Sequence, residues 1–248
     1  MKNLVLVLLV ILGNFTPIFS QEAPILSISP LNNPANTNLI KSETSKMTWF
    51  MIKDSLKIPI GTLETQIQKE KEKIYIITTV VMKQSPTKWI DSTIVEVQHF
   101  KPIYHSSFNQ QREMVLQFGK KTTGYYLDKQ AGSKTQISEK TNSSFFDSNF
   151  YPQLIRSLPL KEGYSNTISI FDYNPKAKVG VIKATIRKTE ETTYTFNGKK
   201  RQVWKVETTD DISNNVTIST YYIDQSTREI LKQEIDFGSR KMVMELVE

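Results

Sequence analysis

Histidine and carboxylate side chains are the residues of this sequence that could support catalysis or hold a metal ion. The chain has two histidines, His99 and His105, and no cysteine. Pro102 lies between the two histidines and disfavours their convergence on one ligand. A zinc site usually takes three or four ligands, and thiolate chemistry needs a cysteine. We therefore expect ordinary surface or packed histidines, with no metal site and no cofactor.

Clustered carboxylates give a second set of candidates. Asp172 and Asn174 precede a proline, a pattern that side-chain-capped turns explain, whereas calcium needs six or more oxygen ligands. The sequence has neither a Gly-x-Ser-x-Gly turn nor a glycine-rich phosphate loop. A hydrolase that pairs Asp172 or Asp210 with His99 or His105 stays open as an alternative, and it requires side chains within about 3 Å of each other. We expect a protein that is not an enzyme and has no catalytic residue.

Large apolar side chains are the stronger candidates for ligand binding. A wide, open sheet leaves apolar room on its concave side, where a ligand can sit. The alternative is that the same side chains fill the core, which is the usual role of large aromatics. The predicted ligand-binding residues are four strand aromatics and three residues of a covering segment: Trp49, Trp89, Trp204 and Tyr222, with Phe145, Phe146 and Leu154.

The elements that must position these residues are mostly strands. Residues 192–196 are β-branched or aromatic, and Asn197-Gly198 follows them, which is a strong signal for a tight hairpin. Similar alternating segments recur from residue 47 to residue 247, and Gly61 indicates a bulge or bend. Short turns between them require antiparallel pairing. The predicted fold is mainly β: one antiparallel, incomplete (half) β-barrel of about 10–11 strands.

One segment, residues 143–160, departs from the strand pattern. Its apolar residues recur near helical spacing, and Asn142 or Ser143 can serve as the N-cap. Pro152 makes the segment either two short turns or a kinked helix, and Pro159 ends it. We expect this short helical segment to plug the concave side of the sheet.

The N-terminal sequence indicates export. Lys2 and the apolar run 4–12 are typical of a signal peptide, which we place at residues 1–20, and the run is too short for a spanning helix. Residues 21–45 are predicted to be a flexible lead-in, and residues 46–248 a single domain. Without cysteine, the chain has no acceptor for a lipid anchor and no disulfide.

The charge pattern bears on the partners. The formal net charge is +7, but lysines 69, 71 and 73 alternate with glutamates 70 and 72. Such alternation is typical of a solvated strand end, so we expect no nucleic-acid partner. Weak peripheral contact with an anionic membrane surface is consistent with the net charge.

Several short motifs carry a resemblance to a known group of proteins. The motifs are Trp89-Ile-Asp91-Ser-Thr93, Lys101-Pro102-Ile-Tyr104, Phe146-Asp147, Tyr151-Pro152-Gln-Leu154-Ile-Arg156, Leu158-Pro159-Leu160, Asp172-Tyr-Asn-Pro175, Val203-Trp204-Lys-Val206, and Tyr222-Ile-Asp224 with Arg228. Through them the chain resembles an uncharacterised family of exported bacterial proteins allied to the LolA/LolB-like lipoprotein-carrier half-barrels. The resemblance implies an antiparallel half-barrel, closed by helical turns and located in the cell envelope, and it transfers no reaction.

Three functions follow as hypotheses. The first is a periplasmic binding or carrier module for a lipid, an acyl chain or another apolar or amphipathic ligand, acting as a monomer. The second is an envelope assembly or scaffold protein that binds protein partners through a sheet edge. The third is the hydrolase described above.

Overall fold

The computed structural model describes residues 26–247, so the predicted signal peptide lies outside the described residues. Alternation of apolar and polar residues produces fifteen strands, more than the 10–11 predicted, because polar segments such as residues 133–139 also pair. The strands are β1 (Glu43–Lys53), β2 (Leu56–Lys69), β3 (Lys73–Met82), β4 (Trp89–Glu96), β5 (Pro102–Phe108), β6 (Arg112–Gln117), β7 (Thr122–Asp128), β8 (Ser133–Glu139), β9 (Phe146–Asp147), β10 (Asn166–Tyr173), β11 (Val179–Phe196), β12 (Lys199–Asp210), β13 (Ile218–Asp224), β14 (Ile230–Asp236) and β15 (Lys241–Val247).

All fifteen strands form one sheet. Its order is β8-β7-β6-β5-β4-β3-β2-β1-β15-β14-β13-β12-β11-β10-β9, so the last strand pairs with the first. Every pair of neighbouring strands is antiparallel except β9 with β10. The sheet is not closed by hydrogen bonds between its edges β8 and β9, and the predicted incomplete antiparallel barrel is confirmed.

The predicted hairpin at Asn197-Gly198 joins β11 to β12. Both residues have positive φ, 49° and 71°, the conformation that a two-residue turn of this kind requires. The two strands are the longest hairpin partners near this end of the chain, with 18 and 12 residues.

The helical segment is shorter than predicted. Helix α1 spans Tyr151–Ser157 and follows a 3₁₀ turn, Ser148–Phe150. Asp147, not Asn142 or Ser143, caps this turn by accepting a hydrogen bond from the Asn149 amide. Pro152 lies in the first turn of α1, where its missing N–H breaks no helical hydrogen bond, so the helix is not kinked. No helix within residues 26–247 is long and apolar enough to cross a membrane.

The core lies between α1 and the concave face of the sheet. Leu154, Ile155 and Leu158 are fully buried there, together with inward-facing strand residues. Part of the predicted lead-in also packs here: Ile28 bridges to β10, and Ile40 is fully buried. Ile28 and Ile40 thus pack into the core within the range that composition predicts to be a flexible lead-in.

Candidate functional site

A cavity of about 250 Å³ lies between α1 and strands β1–β4, β14 and β15. We call it the α1 cavity. Its apolar wall consists of Met47, Trp49, Leu63, Ile76, Val80, Trp89, Ile230, Ile235, Met244 and Leu246. Its polar residues include Glu43, Asp91, Asn149, Gln153, Arg156, Glu229 and Gln233. Because Thr44 and Glu229 line it and are exposed, the α1 cavity reaches solvent.

A bulge in the sheet shapes the wall around Trp49. The register of β1 and β2 shifts between Trp49 and Phe50, and Gly61 lies opposite Trp49. A Cβ at Gly61 would lie 2.5 Å from the carbonyl oxygen of Val81, so only glycine allows β2 and β3 to approach so closely here. The bulge predicted from Gly61 is confirmed, and it bends the sheet beside the α1 cavity.

Hydrogen bonds fix the second tryptophan, Trp89. Its indole N–H donates to Asp91 Oδ1 at 2.7 Å and also lies 3.2 Å from Ser107 Oγ. Arg112 in turn donates to the same hydroxyl at 3.2 Å. The indole and the Asp91 carboxylate therefore form one ordered unit in the wall of the α1 cavity.

A buried ion pair holds α1 against β1. The side chain of Arg156 is only 3% exposed, and its guanidinium donates to Glu43 Oε1. Arg156 also donates to the carbonyl oxygen of Arg228 at 3.4 Å, which connects the helix to the turn before β14. Because Glu43 compensates the buried charge of Arg156, this pair adds no net charge to the α1 cavity.

A hydrogen-bonded network leads from the α1 cavity into the interior. Asn149 donates to Thr93 Oγ1 at 2.9 Å, Thr93 donates to Asp147 Oδ2 at 2.6 Å, and Asp147 Oδ1 lies 2.7 Å from His105 Nδ1. Burial favours the neutral imidazole, but the charge and hydrogen bond of Asp147 outweigh it and raise the pKa of His105. At Asp172, burial disfavours the charged carboxylate and raises its pKa. The Ser148 hydroxyl donates a hydrogen bond to Asp172 Oδ1 at 2.9 Å.

This network does not have the geometry of the hydrolase considered above. His105 bonds to Asp147 rather than to Asp172 or Asp210, and its Nε2 atom is buried without a hydrogen-bond partner. Asp210 accepts from the Ser213 amide at 2.9 Å in a turn. The side chain of His105 is only 6% exposed. Within residues 26–247 no three His, Cys, Asp or Glu side chains group as metal ligands do.

Strongly charged residues surround a second, larger hollow on the opposite face of the sheet. It measures about 470 Å³, and its lysines pair with its own carboxylates, as in Lys57–Glu245 and Lys232–Glu234. Exposed pairs of this kind leave little unsatisfied charge for a ligand. We therefore place the candidate site in the smaller α1 cavity.

The structure brings two of the seven predicted ligand-binding residues, Trp49 and Trp89, to the α1 cavity. Trp204 instead packs against the main core, and Phe146 and Leu154 are fully buried within it. Phe145 packs at the edge of the sheet beside Phe171. Tyr222 lies outside the cavity lining, and its ring is tilted by 43° against that of Tyr194, with ring centroids 5.6 Å apart.

The polar residues of the site were missing from the sequence prediction. In the sequence, Arg156 and Asp91 stand out only as members of two of the short motifs. A signal for Asp91 is its spacing from Trp89: two residues apart on a strand, they share one face. No local pattern connects Arg156 with Glu43, which is 113 residues away.

A protein-family model matches most of the chain. The model of the family described as "Protein of unknown function (DUF3108)" matches residues 44–245. No curated protein matches the chain.

Proposed function

The chain belongs to this family, DUF3108, and we propose that it binds one small amphipathic or apolar molecule in the α1 cavity and carries it in the cell envelope. The observation that supports the proposal is the cavity itself, an apolar wall of strand residues that faces polar residues of α1. Such a lining, mostly apolar with a few placed polar groups, is typical of small-molecule sites.

The size of the α1 cavity limits the ligand. A cavity of roughly 150 Å³ holds benzene, and drug-sized ligands usually occupy about 300–1,000 Å³. The α1 cavity, at about 250 Å³, lies between these values. It can enclose a single short chain, or part of a longer one, and cannot enclose several acyl chains at once. The proposed ligand is therefore one small amphiphile rather than a molecule with several acyl chains.

The envelope location rests on the N-terminal sequence. A charged start, an apolar run and Ser20 before Gln21 support export. Fractionation of expressing cells followed by N-terminal sequencing tests this part of the proposal: the mature chain should begin near Gln21. A full-length chain retained in the cytoplasm would contradict the envelope location and leave the cavity proposal standing.

Native mass spectrometry of the protein purified from its own envelope tests binding. Leu63 on β2 lines the α1 cavity. Val81, on the neighbouring strand β3, lies outside the lining and is 41% exposed. We expect the wild type and Val81→Trp to carry a bound molecule that Leu63→Trp, whose indole fills the cavity, has lost. If the wild type carries no ligand and binds no alkyl probe, the proposal is wrong. Thermal denaturation confirms that both variants fold.

A second candidate function, partner binding at a sheet edge, is favoured by β8. Among the described residues this strand pairs only with β7, so its outer backbone groups can accept a further strand. Crosslinking in the envelope tests it. A stable partner that is lost when a proline replaces Gln136 in β8 would support this function, and no partner would oppose it.

A further inference from the structure

We infer that the α1 cavity selects amphiphiles whose head group is a cation, an alkylammonium, with Asp91 and Trp89 as the site that recognises the ammonium. This inference rests on the proposed function and adds the chemistry of the ligand to it. The supporting observations are the uncompensated charges of the cavity and the residues beside them.

The uncompensated charges of the lining are both negative. Three carboxylates and one cation line the α1 cavity, and Glu43 pairs with the cation, Arg156. The other two carboxylates, Asp91 and Glu229, form no ion pair within residues 26–247. The cavity is thus locally acidic in a chain with a formal charge of +7. A carboxylate or phosphate head group would meet repulsion where an ammonium is attracted.

Asp91 is the better of the two carboxylates for an ammonium. It is half-buried, whereas Glu229 is exposed at the mouth of the cavity. A charge pair away from bulk water is several times stronger than the same pair in water. The buried His105 ring bonds to Asp147, and no hydrogen bond joins it to Asp91.

Trp89 adds a second attraction at the same place. Its N–H bonds to Asp91, which keeps the indole and the carboxylate side by side in the cavity wall. The face of an indole attracts cations, and aromatic rings form the recognition sites of quaternary ammonium ligands. The apolar residues Leu63 and Met244, which also line the cavity, are suited to the alkyl chain.

The two carboxylates lie on separate parts of the cavity lining. Asp91 lies on β4 and Glu229 directly precedes β14, at opposite ends of six adjacent strands, β4-β3-β2-β1-β15-β14. Five spacings of roughly 4.8 Å separate the two ends along the curved sheet. Because Glu229 is exposed at the mouth, solvent weakens its attraction for an ammonium bound at Asp91.

Calorimetric titration with three eight-carbon probes tests the inference: octylammonium, octanol and octanoate. We expect octylammonium to bind about tenfold or more tightly than octanoate, with octanol between them. If octanol binds and octylammonium binds no more tightly than octanoate, the head-group inference is wrong and the cavity proposal stands. If none of the three binds, the proposed function itself fails.

Substitutions then locate the head group. Asp91→Asn keeps an oxygen that can accept the hydrogen bond from Trp89 and removes only the charge. It should therefore weaken the binding of octylammonium about tenfold and leave the binding of octanol unchanged. Glu229→Gln should weaken octylammonium binding less than Asp91→Asn does. Glu72→Gln is the control, because Glu72 is exposed and outside the cavity lining, and it should leave octylammonium binding unchanged. Unchanged octylammonium affinity in Asp91→Asn, or an equal loss of octanol, would overturn the assignment.

Discussion

Two regions of the same sheet use aromatic residues in opposite ways. Near the edges, rings of β7 and of the residue after β6 pack against β10 and the residue before β9: Phe118, Phe145 and Phe171 lie within 5.1–5.7 Å of one another, and Tyr126 lies 6.0 Å from Tyr173. We call these five residues the aromatic seam. Around β1–β4 the sheet instead leaves the α1 cavity, lined by Trp49 and Trp89.

The difference shows how an incomplete barrel can be both stable and hollow. Side-chain packing at the aromatic seam connects edges that backbone hydrogen bonds do not join, and Lys176–Asp128 adds an ion pair across it. The opposite wall can then stay open, because its bend and the position of α1 are fixed by a glycine bulge and a buried ion pair. Stability and binding should therefore respond separately to substitutions in the two regions.

The largest effect on stability is expected at the aromatic seam. Phe171 is 1% exposed and contacts two other rings, so Phe171→Ala should lower the free energy of unfolding by about 3–5 kcal/mol. Urea denaturation measures the loss, and Leu31→Ala, at an 88% exposed site, is the control expected to change little. Octanol affinity of the folded variant should be unchanged. A loss below 1 kcal/mol would mean that the seam does not connect the edges.

The second-largest effect on stability is expected at the ion pair between Arg156 of α1 and Glu43 of β1. Glu43→Gln leaves the buried Arg156 guanidinium without its counter-charge, which we expect to destabilise the fold by about 2 kcal/mol. The effect is smaller than for a fully buried pair because Glu43 is 32% exposed. Urea denaturation of the double variant Glu43→Leu/Arg156→Met provides the comparison: removing both charges should be less harmful than removing one. A single variant as stable as the wild type would show that the pair does not hold the helix.

The bulge at Gly61 should affect both properties. Its added methyl group would meet the Val81 carbonyl, so Gly61→Ala should lower stability by about 1–3 kcal/mol and weaken octanol binding. Gly119→Ala is the matched control, because its Cβ would come no closer than 3.7 Å to a neighbour. Wild-type affinity in a destabilised Gly61→Ala would separate the bulge from the shape of the cavity.

The smallest effect should be a pH dependence from His105. Its pKa is raised in the folded chain, so its contribution to stability is present below the unfolded pKa of about 6.5 and is lost as pH rises through the folded value. Urea denaturation from pH 5.5 to 9 should show the wild-type advantage over His105→Asn shrinking as pH rises. Asp147→Asn should remove the same dependence. An advantage that grows with pH would contradict the sign of this linkage.

The sequence predicted the architecture because strand periodicity and turn chemistry are local. Alternation over many segments and the Asn197-Gly198 pair indicate antiparallel hairpins without knowledge of their neighbours. Strand number was underestimated where polar residues pair, as in β8. The length of the helix was overestimated because Phe145 and Phe146 continue its apolar pattern although they lie in or beside strand β9.

The candidate site was less predictable, because alternation separates two faces without saying which is concave. Tyr221 and Tyr222 are neighbours of the same residue type. Tyr221 is 3% exposed in the core, whereas the ring of Tyr222 packs against Tyr194 outside it. Trp204 packs against the core and lies outside the lining of the α1 cavity. Burial of Arg156 depends on a distant partner, Glu43, and periodicity carries no information about such a pair.

Tryptophan fluorescence tests most directly whether the α1 cavity is the binding site. Trp204→Phe keeps the two indoles of the cavity, whereas Trp49→Phe/Trp89→Phe keeps only Trp204, which packs against the core. Titration with octylammonium should change the emission of the first variant saturably and leave that of the second unchanged. Equal changes in both variants, or no change in Trp204→Phe, would contradict binding in the α1 cavity.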